Sequence, residues 1–212
     1  MAAPDRRRVR LEAARLYLVI EAAAARAVAP AALQGGVDVV QLREKEAPDG
    51  EIVATGRWLR ELCDEHDALL VVNDRADLAL ACGADGVHVG QDDESVASVR
   101  AAVGPAVLIG LSTHSPDQVD AASDDRDVDY LGVGPVYATA TKPDLEPVGL
   151  ELVRYAEQHA RKPWFAIGGI DAERLHEVRA DRIAVVRAIR DAEDPRAAAE
   201  MLRREPVGGQ AQ

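Results

Sequence analysis

Only two cysteines occur in this chain of 212 residues, and neither a CxxC pair nor a His-rich cluster accompanies them. Cys63 and Cys82 flank a strand-like run, so they are expected as two buried free thiols and not as a disulfide, a zinc site or a nucleophile. Positive charge is also scarce: 25 Lys and Arg against 37 Asp and Glu give a formal net charge of −12. A broad nucleic-acid footprint needs clustered cations to meet phosphate, so that partner is excluded, and the acidic surface favours solubility. No apolar run approaches the ~20 residues of a membrane span, and the basic start PDRRRVR lacks the apolar core of a secretory leader. A cytoplasmic protein without a membrane partner is expected. Linker-like composition is missing from the middle of the chain, so a single domain is expected, with its core between about 14 and 205 and loose ends.

What the chain does have is rhythm. Apolar runs recur as LYLVIE, VDVVQL, ALLVVN, GVHVG, VLIGLS, VDYLGVG, WFAIGGI and IAVVRAI, separated by stretches of helical spacing such as EIVATGRWLRELCDEH and LELVRYAEQHA. That βαβα alternation predicts parallel strands joined by helical crossovers. Eight β/α units in this length fit a closed (β/α)8 TIM barrel of the α/β class better than an open doubly wound sheet. Active sites of such barrels lie at the C-terminal ends of the strands, so those ends are where chemistry is sought.

In VDVVQLREK the period of two sends Gln41, Arg43 and Lys45 to one side and Val40 and Leu42 to the other. An amide and two cations at the barrel mouth suit a polyanion, Arg as a bidentate fork and Lys as a point charge. The competing reading is a solvated strand end whose charges pair with Glu44 and Glu46. The stretch VNDRADLALACGADGVHVGQDD supplies the opposite charge: Asp74 closes the third strand and Asp92 and Asp93 follow the fourth. Neighbouring strand tops can bring two carboxylates to one hard cation such as Mg2+, which takes one or two carboxylates and completes its shell with water and substrate phosphates. Spacing alone does not choose between Asp92 and Asp93. Equally open is a reading in which Asp74 caps a helix starting near Ala76 and Asp92 or Asp93 caps one near Glu94. His88 shares the inward face with Gly90 and reads as a hydrogen-bonded barrel-core residue.

Parity in VLIGLSTH points Gly110, Ser112 and His114 inward. Ser112 has no Gly-x-Ser-x-Gly elbow around it, so it reads as a hydrogen-bond donor and not as a nucleophile. In the loop after the sixth strand, Thr139, Ala140, Thr141 and Lys142 combine small residues, hydroxyls and an ammonium into an anion cradle. Gly168 and Gly169 in AIGGI mark a close backbone approach next to the loops that commonly hold phosphate in this fold.

The ordered set QLREK, VNDRADLALACGADGVHVGQDD, TATKP and AIGGI resembles the thiamine-phosphate synthase family over nearly the whole chain. That family joins a hydroxymethylpyrimidine diphosphate to a thiazole phosphate with Mg2+, releasing diphosphate through a dissociative, carbocation-like step. The resemblance implies that Gln41, Leu42, Arg43, Glu44, Lys45, Asn73 and Lys142 form the pyrimidine-diphosphate site, with Ser112 near the bond that breaks. Arg43, Lys45, Ser112 and Lys142 are then the catalytic set. It implies a thiazole-phosphate site at Thr139, Ala140, Thr141, Gly169, Val186 and Arg187, and metal ligation by Asp74 and Asp93 in preference to Asp92. Both partners are small molecules, and homo-oligomerisation is left open. One departure stands out: VRADRIAVVRAI places Arg187 where the family usually has a small hydroxyl residue. Arg187 is thus expected either to contact phosphate or to turn outward into a salt bridge. The nearest alternative is the thiazole tautomerase on the same barrel, an isomerase that needs neither the paired carboxylates nor the Thr-x-Thr-Lys loop. Another phosphosugar-type isomerase would leave Gln41, Arg43 and Lys45 unexplained.

Overall fold

The computed structural model describes residues 5–139 and 146–203. Its strands are Leu16–Ile20 (β1), Val39–Leu42 (β2), Leu69–Asn73 (β3), Gly86–Val89 (β4), Leu108–Thr113 (β5), Tyr130–Val133 (β6), Trp164–Ile167 (β7) and Ile183–Val185 (β8). Each pairs in parallel with the next, and β1 pairs with β8, so the expected closed eight-stranded barrel is what forms. The helices are Arg6–Ala13 (α1), Ala22–Gln34 (α2), Asp49–Glu65 (α3), Ala76–Cys82 (α4), Val96–Val103 (α5), Pro116–Asp124 (α6), Gly149–His159 (α7), Leu175–Val178 (α8), Arg187–Arg190 (α9) and Pro195–Arg203 (α10). Among the described residues, no helix is long and apolar enough to cross a membrane.

Strand parity divides the apolar residues into two layers. Leu16, Leu18, Ile20, Val40, Leu42, Leu70 and Val72 join the cluster that packs under the helices. Their neighbours Tyr17, Val19, Val39, Leu69 and Val71 fill a second cluster with Tyr130 and Phe165. Successive strand residues point to opposite faces, so one run of apolar residues builds both the barrel interior and its outer seat. Leu11 and Ala14 join the inner cluster, which puts α1 and the turn after it across the N-terminal end of the barrel.

That end is tied by a repeated device. Asp38, Asp85 and Asp129 stand at or just before the starts of β2, β4 and β6, and each accepts a backbone N–H from a neighbouring strand: Leu16 at 3.0 Å, Leu70 at 2.9 Å and Ile109 at 2.9 Å. Arg7 and Arg60 meet Asp85, Arg8 and Arg100 meet Asp129, and Arg203 meets Asp38. The expectation of a loose N-terminus is therefore corrected for Asp5–Ala13: Asp5 caps α1 through the Arg7 N–H at 3.0 Å, and arginines of α1 reach carboxylates far away in the sequence. Both cysteines are buried and unpaired. Cys82 lies so close to α3 that a Cβ on Gly56 would overlap its sulfur.

Candidate active site

A cavity of about 510 Å3 opens at the C-terminal ends of the strands. Its walls carry Gln41, Arg43 and Lys45 from the end of β2, Asn73 and Asp74 from β3, Asp92 and Asp93 after β4, and Ser112 from β5. Strand ends far apart in sequence thus deliver cations, carboxylates and a hydroxyl to one space.

The cationic wall follows the parity read from the sequence. Gln41 is buried and turns into the barrel, while Leu42 packs beneath the helices and lines no part of the cavity. Glu44 also stands outside the lining; its carboxylate accepts the N–H groups of Ala22 at 3.1 Å, Lys45 at 2.9 Å and Glu46 at 3.2 Å. Burial works against the charge of Glu44, but these N–H donors outweigh it and hold the carboxyl below its usual range. Glu44 therefore shapes the loop that presents Arg43 and Lys45. Among the described residues neither cation forms an ion pair, with Glu44, Glu46 or any other acid, so a solvated strand end with paired charges does not describe this segment.

The carboxylates are not helix caps. The N-cap of α4 is Arg75, with no side-chain cap bond, and α5 is capped by Ser95, which accepts the Ser98 N–H at 3.3 Å. Asp74 has a left-handed backbone (φ 61°), and its N–H donates to the His88 carbonyl at 2.8 Å. That conformation is unusual for a residue with a side chain and recurs where geometry serves a site. Arg75 turns away and pairs with Asp49 and Asp77 at 2.9 and 2.7 Å. Asp93 accepts the Gly90 N–H at 2.7 Å, and Asp92 shares the cavity wall with it. Among the described residues no group of three or more His, Cys, Asp or Glu gathers in a cage. The carboxylates of Asp74, Asp92 and Asp93 that line the cavity are instead hard oxygen donors of the kind that fits a cation keeping waters and substrate phosphate oxygens in its shell.

Below the mouth runs a line of hydrogen bonds. Gln41 Nε2 donates to Tyr17 Oη at 2.7 Å, Tyr17 Oη meets Tyr130 Oη at 3.0 Å, Tyr130 Oη meets His88 Nδ1 at 3.1 Å, and His88 Nε2 meets Ser112 Oγ at 3.0 Å. Burial raises both phenols above their usual pKa, so each keeps its proton. Gln91 Nε2 holds the Ser112 carbonyl at 2.6 Å.

Thr139, Gly169, Val186 and Arg187 line the opposite side of the cavity, whereas Ala140, Thr141 and Lys142 lie outside the described residues. Gly168 and Gly169 have positive φ (106° and 66°), and a Cβ on either would collide with the loop after β6 at Pro135 or Tyr137. The close approach predicted there is thus made by the protein's own backbone, which seats one loop on the other. Arg187 lines the cavity, and no outward salt bridge holds it among the described residues. The sequence pattern did not mark Tyr17, Tyr130 or Arg174, all of which line the cavity. Arg174 lies over the Tyr137 ring at 4.9 Å and donates to the Gly169 carbonyl at 2.8 Å. Inward parity within LYLVI and VDYLGVG was a usable signal for the tyrosines; Arg174 sits in a turn that carries no such periodicity.

The sequence model of the family described as "Thiamine monophosphate synthase" matches residues 16–189, from β1 into α9. The chain belongs to that family. A Thiamine-phosphate synthase of Gloeobacter violaceus is 53% identical over 198 residues, covering 89% of this chain and 56% of its own length. One of Saccharopolyspora erythraea is 49% identical over 210 residues, covering 92% of this chain and 94% of that protein. The chain therefore spans little more than half of the first relative and nearly all of the second. Among solved structures, a thiamine phosphate pyrophosphorylase of Pyrococcus furiosus superposes with a TM-score of 0.82 at 36% identity, covering 95% of this chain and 99% of that one. Membership in the thiamine monophosphate synthase family makes the protein an enzyme of the transferase class.

Proposed function

We propose that the enzyme transfers a hydroxymethylpyrimidine group from its diphosphate to a thiazole phosphate, forming thiamine phosphate and diphosphate with the help of Mg2+. The observation that carries this reading is a cavity that holds Arg43 and Lys45, which form no ion pair among the described residues, together with the carboxylates Asp74 and Asp93. A diphosphate brings enough negative charge to meet both the cations and a carboxylate-bound metal.

In the step proposed, the carbon–oxygen bond to the diphosphate breaks and its electron pair leaves with the oxygen. Arg43, Lys45 and Lys142 meet the charge that grows on the leaving group, a task done best by donors already in place. Ser112 donates a hydrogen bond near the departing oxygen, and Asn73 and Gln41 orient the pyrimidine. Asp74 and Asp93 would hold Mg2+, which when bound would supply Lewis-acid neutralisation of the diphosphate. The aminopyrimidine carries the positive charge left on its methylene until the thiazole nitrogen donates its lone pair and closes the carbon–nitrogen bond. Thr139, Ala140, Thr141, Gly169, Val186 and Arg187 hold the thiazole phosphate so that its nitrogen faces that carbon. No protein nucleophile is required; positioning and exclusion of water are the chain's remaining work. The same reading takes the enzyme to act in the cytoplasm on soluble small molecules.

The test is an assay with both substrates, with Mg2+ and then with excess chelator. Thiamine phosphate formed only in the first condition supports the proposal; none above background at saturating substrate overturns it.

A further inference from the structure

Five side chains on five strands form an unbroken line of hydrogen bonds through the barrel interior, and the direction of that line is fixed by its buried end. Tyr17 is 2% exposed, and among the described residues its hydroxyl meets only Gln41 and Tyr130. The amide nitrogen of Gln41 is a donor and cannot accept. If Tyr130 donated to Tyr17, the proton of Tyr17 would be left in the barrel with no acceptor, an arrangement that buried polar groups avoid. Tyr17 therefore donates to Tyr130. Tyr130, 1% exposed, then has its own proton free for His88 Nδ1 at 3.1 Å. A neutral imidazole carries one N–H, so with Nδ1 accepting, the proton sits on Nε2 and points at Ser112 Oγ at 3.0 Å.

We infer that the line from Gln41 through Tyr17, Tyr130 and His88 is a positioning relay that makes Ser112 accept from His88 and aim its own hydroxyl proton into the cavity. The inference rests on the proposed reaction, in which Ser112 faces a diphosphate oxygen. An anionic leaving group is helped by a donor; the reverse direction would spend the Ser112 proton on His88 and turn oxygen lone pairs toward the diphosphate. His88 in this account touches Ser112 and not the reacting atoms.

The fold makes room for the relay. A Cβ on Gly110 would overlap both the Tyr130 ring and His88 Nδ1, and one on Gly132 would come within 3.2 Å of His88 Cε1. Two inward positions of β5 and β6 are thus kept free of side chains where the imidazole and phenol meet. The Gln91 amide holds the Ser112 main chain from the other side at 2.6 Å.

The experiment is 15N NMR of ring-labelled histidine at about pH 8.5, roughly two units above the ordinary imidazole value, with the His88 signals identified by their loss in His88→Gln. Wild-type His88 is expected with a pyrrole-type Nε2 bearing the proton and a pyridine-type Nδ1. Dominance of the Nδ1–H form, or equal amounts of both, overturns the relay. Tyr17→Phe removes the group that hands the direction on: the Nδ1–H form should then become measurable, and kcat should fall about tenfold with both KM values unchanged. A Tyr17→Phe protein whose His88 tautomer is unaltered overturns the relay as well. The NMR result does not depend on turnover, so a wild-type enzyme that makes no thiamine phosphate would sink the proposed reaction and leave the tautomer to be decided separately.

Discussion

Asp93 accepts the backbone N–H of Gly90 at 2.7 Å, so the carboxylate is held at the cavity wall by the loop that carries it. A carboxylate carries more acceptor positions than this one bond uses, so the bond fixes the orientation that the proposed metal ligation requires.

That arrangement predicts the outcome of removing either proposed ligand. Asp74→Ala and Asp93→Ala should each lower kcat about a hundredfold or more in saturating Mg2+ while the circular dichroism spectrum is kept. A Mg2+ titration of activity checks it, and full turnover in both variants would remove them as ligands. Asp92→Ala should retain most activity.

Arg187 lines the cavity with no ion-pair partner among the described residues. If it contacts the thiazole phosphate, Arg187→Ala should raise the KM for that substrate about tenfold and leave the KM for the pyrimidine diphosphate unchanged, the loss expected for one charge-assisted hydrogen bond. Steady-state kinetics with each substrate varied in turn separates the two sites.

At the opposite end of the barrel, the side chain of Asp85 is 9% exposed and serves Arg7, Arg60 and the Leu70 N–H together. Asp85→Ala would strand the buried Leu70 N–H and take one carboxylate partner from each of Arg7 and Arg60, so it should cost about 3 kcal/mol of stability. Chemical denaturation reports this as a lower midpoint with the slope unchanged.

Glu44 offers a test by pH. Its carboxyl is held below the usual value of 4.5 in the folded chain, because backbone N–H groups overcome its burial. A depressed carboxyl contributes stability that is present above the unfolded value and is lost as pH falls through the folded one. The stability difference between wild type and Glu44→Gln should therefore be full near neutrality and shrink progressively as pH drops below about 4.5. A difference that stays constant across that window would contradict it.

Cys63 should be inert in the native protein. Burial pushes its thiol up to about 12, so thiolate, the reactive form, is scarce at ordinary pH. Titration with a thiol reagent should label Cys63 only after denaturant is added.

Much of this site was legible because a strand has a period of two. Gln41, Arg43 and Lys45 sort from Val40 and Leu42 by parity alone, and the structure places the first three on the cavity and the other two under the helices. The same rule applies to Tyr17 and Tyr130, yet each sits in an apolar run, and their hydroxyl line is a property of five strands brought together. Asp74 and Asp93 were ambiguous with helix caps because a carboxylate ahead of a helix looks the same in either role; α4 and α5 start at Ala76 and Val96 with Arg75 and Ser95 in the cap positions, which removes the cap reading. α1 escaped notice because its arginines are held by carboxylates whose distance in sequence hides the pairing, Asp85 and Asp129. Arg174 is placed by a turn and by stacking on Tyr137, neither of which leaves a periodic trace.

The most direct measurement is the joint yield of diphosphate and thiamine phosphate in one reaction containing both substrates and Mg2+. Equal molar amounts, each absent when either substrate is withheld, are the predicted result. Conversion of the thiazole substrate to an isomer without release of diphosphate would contradict the account.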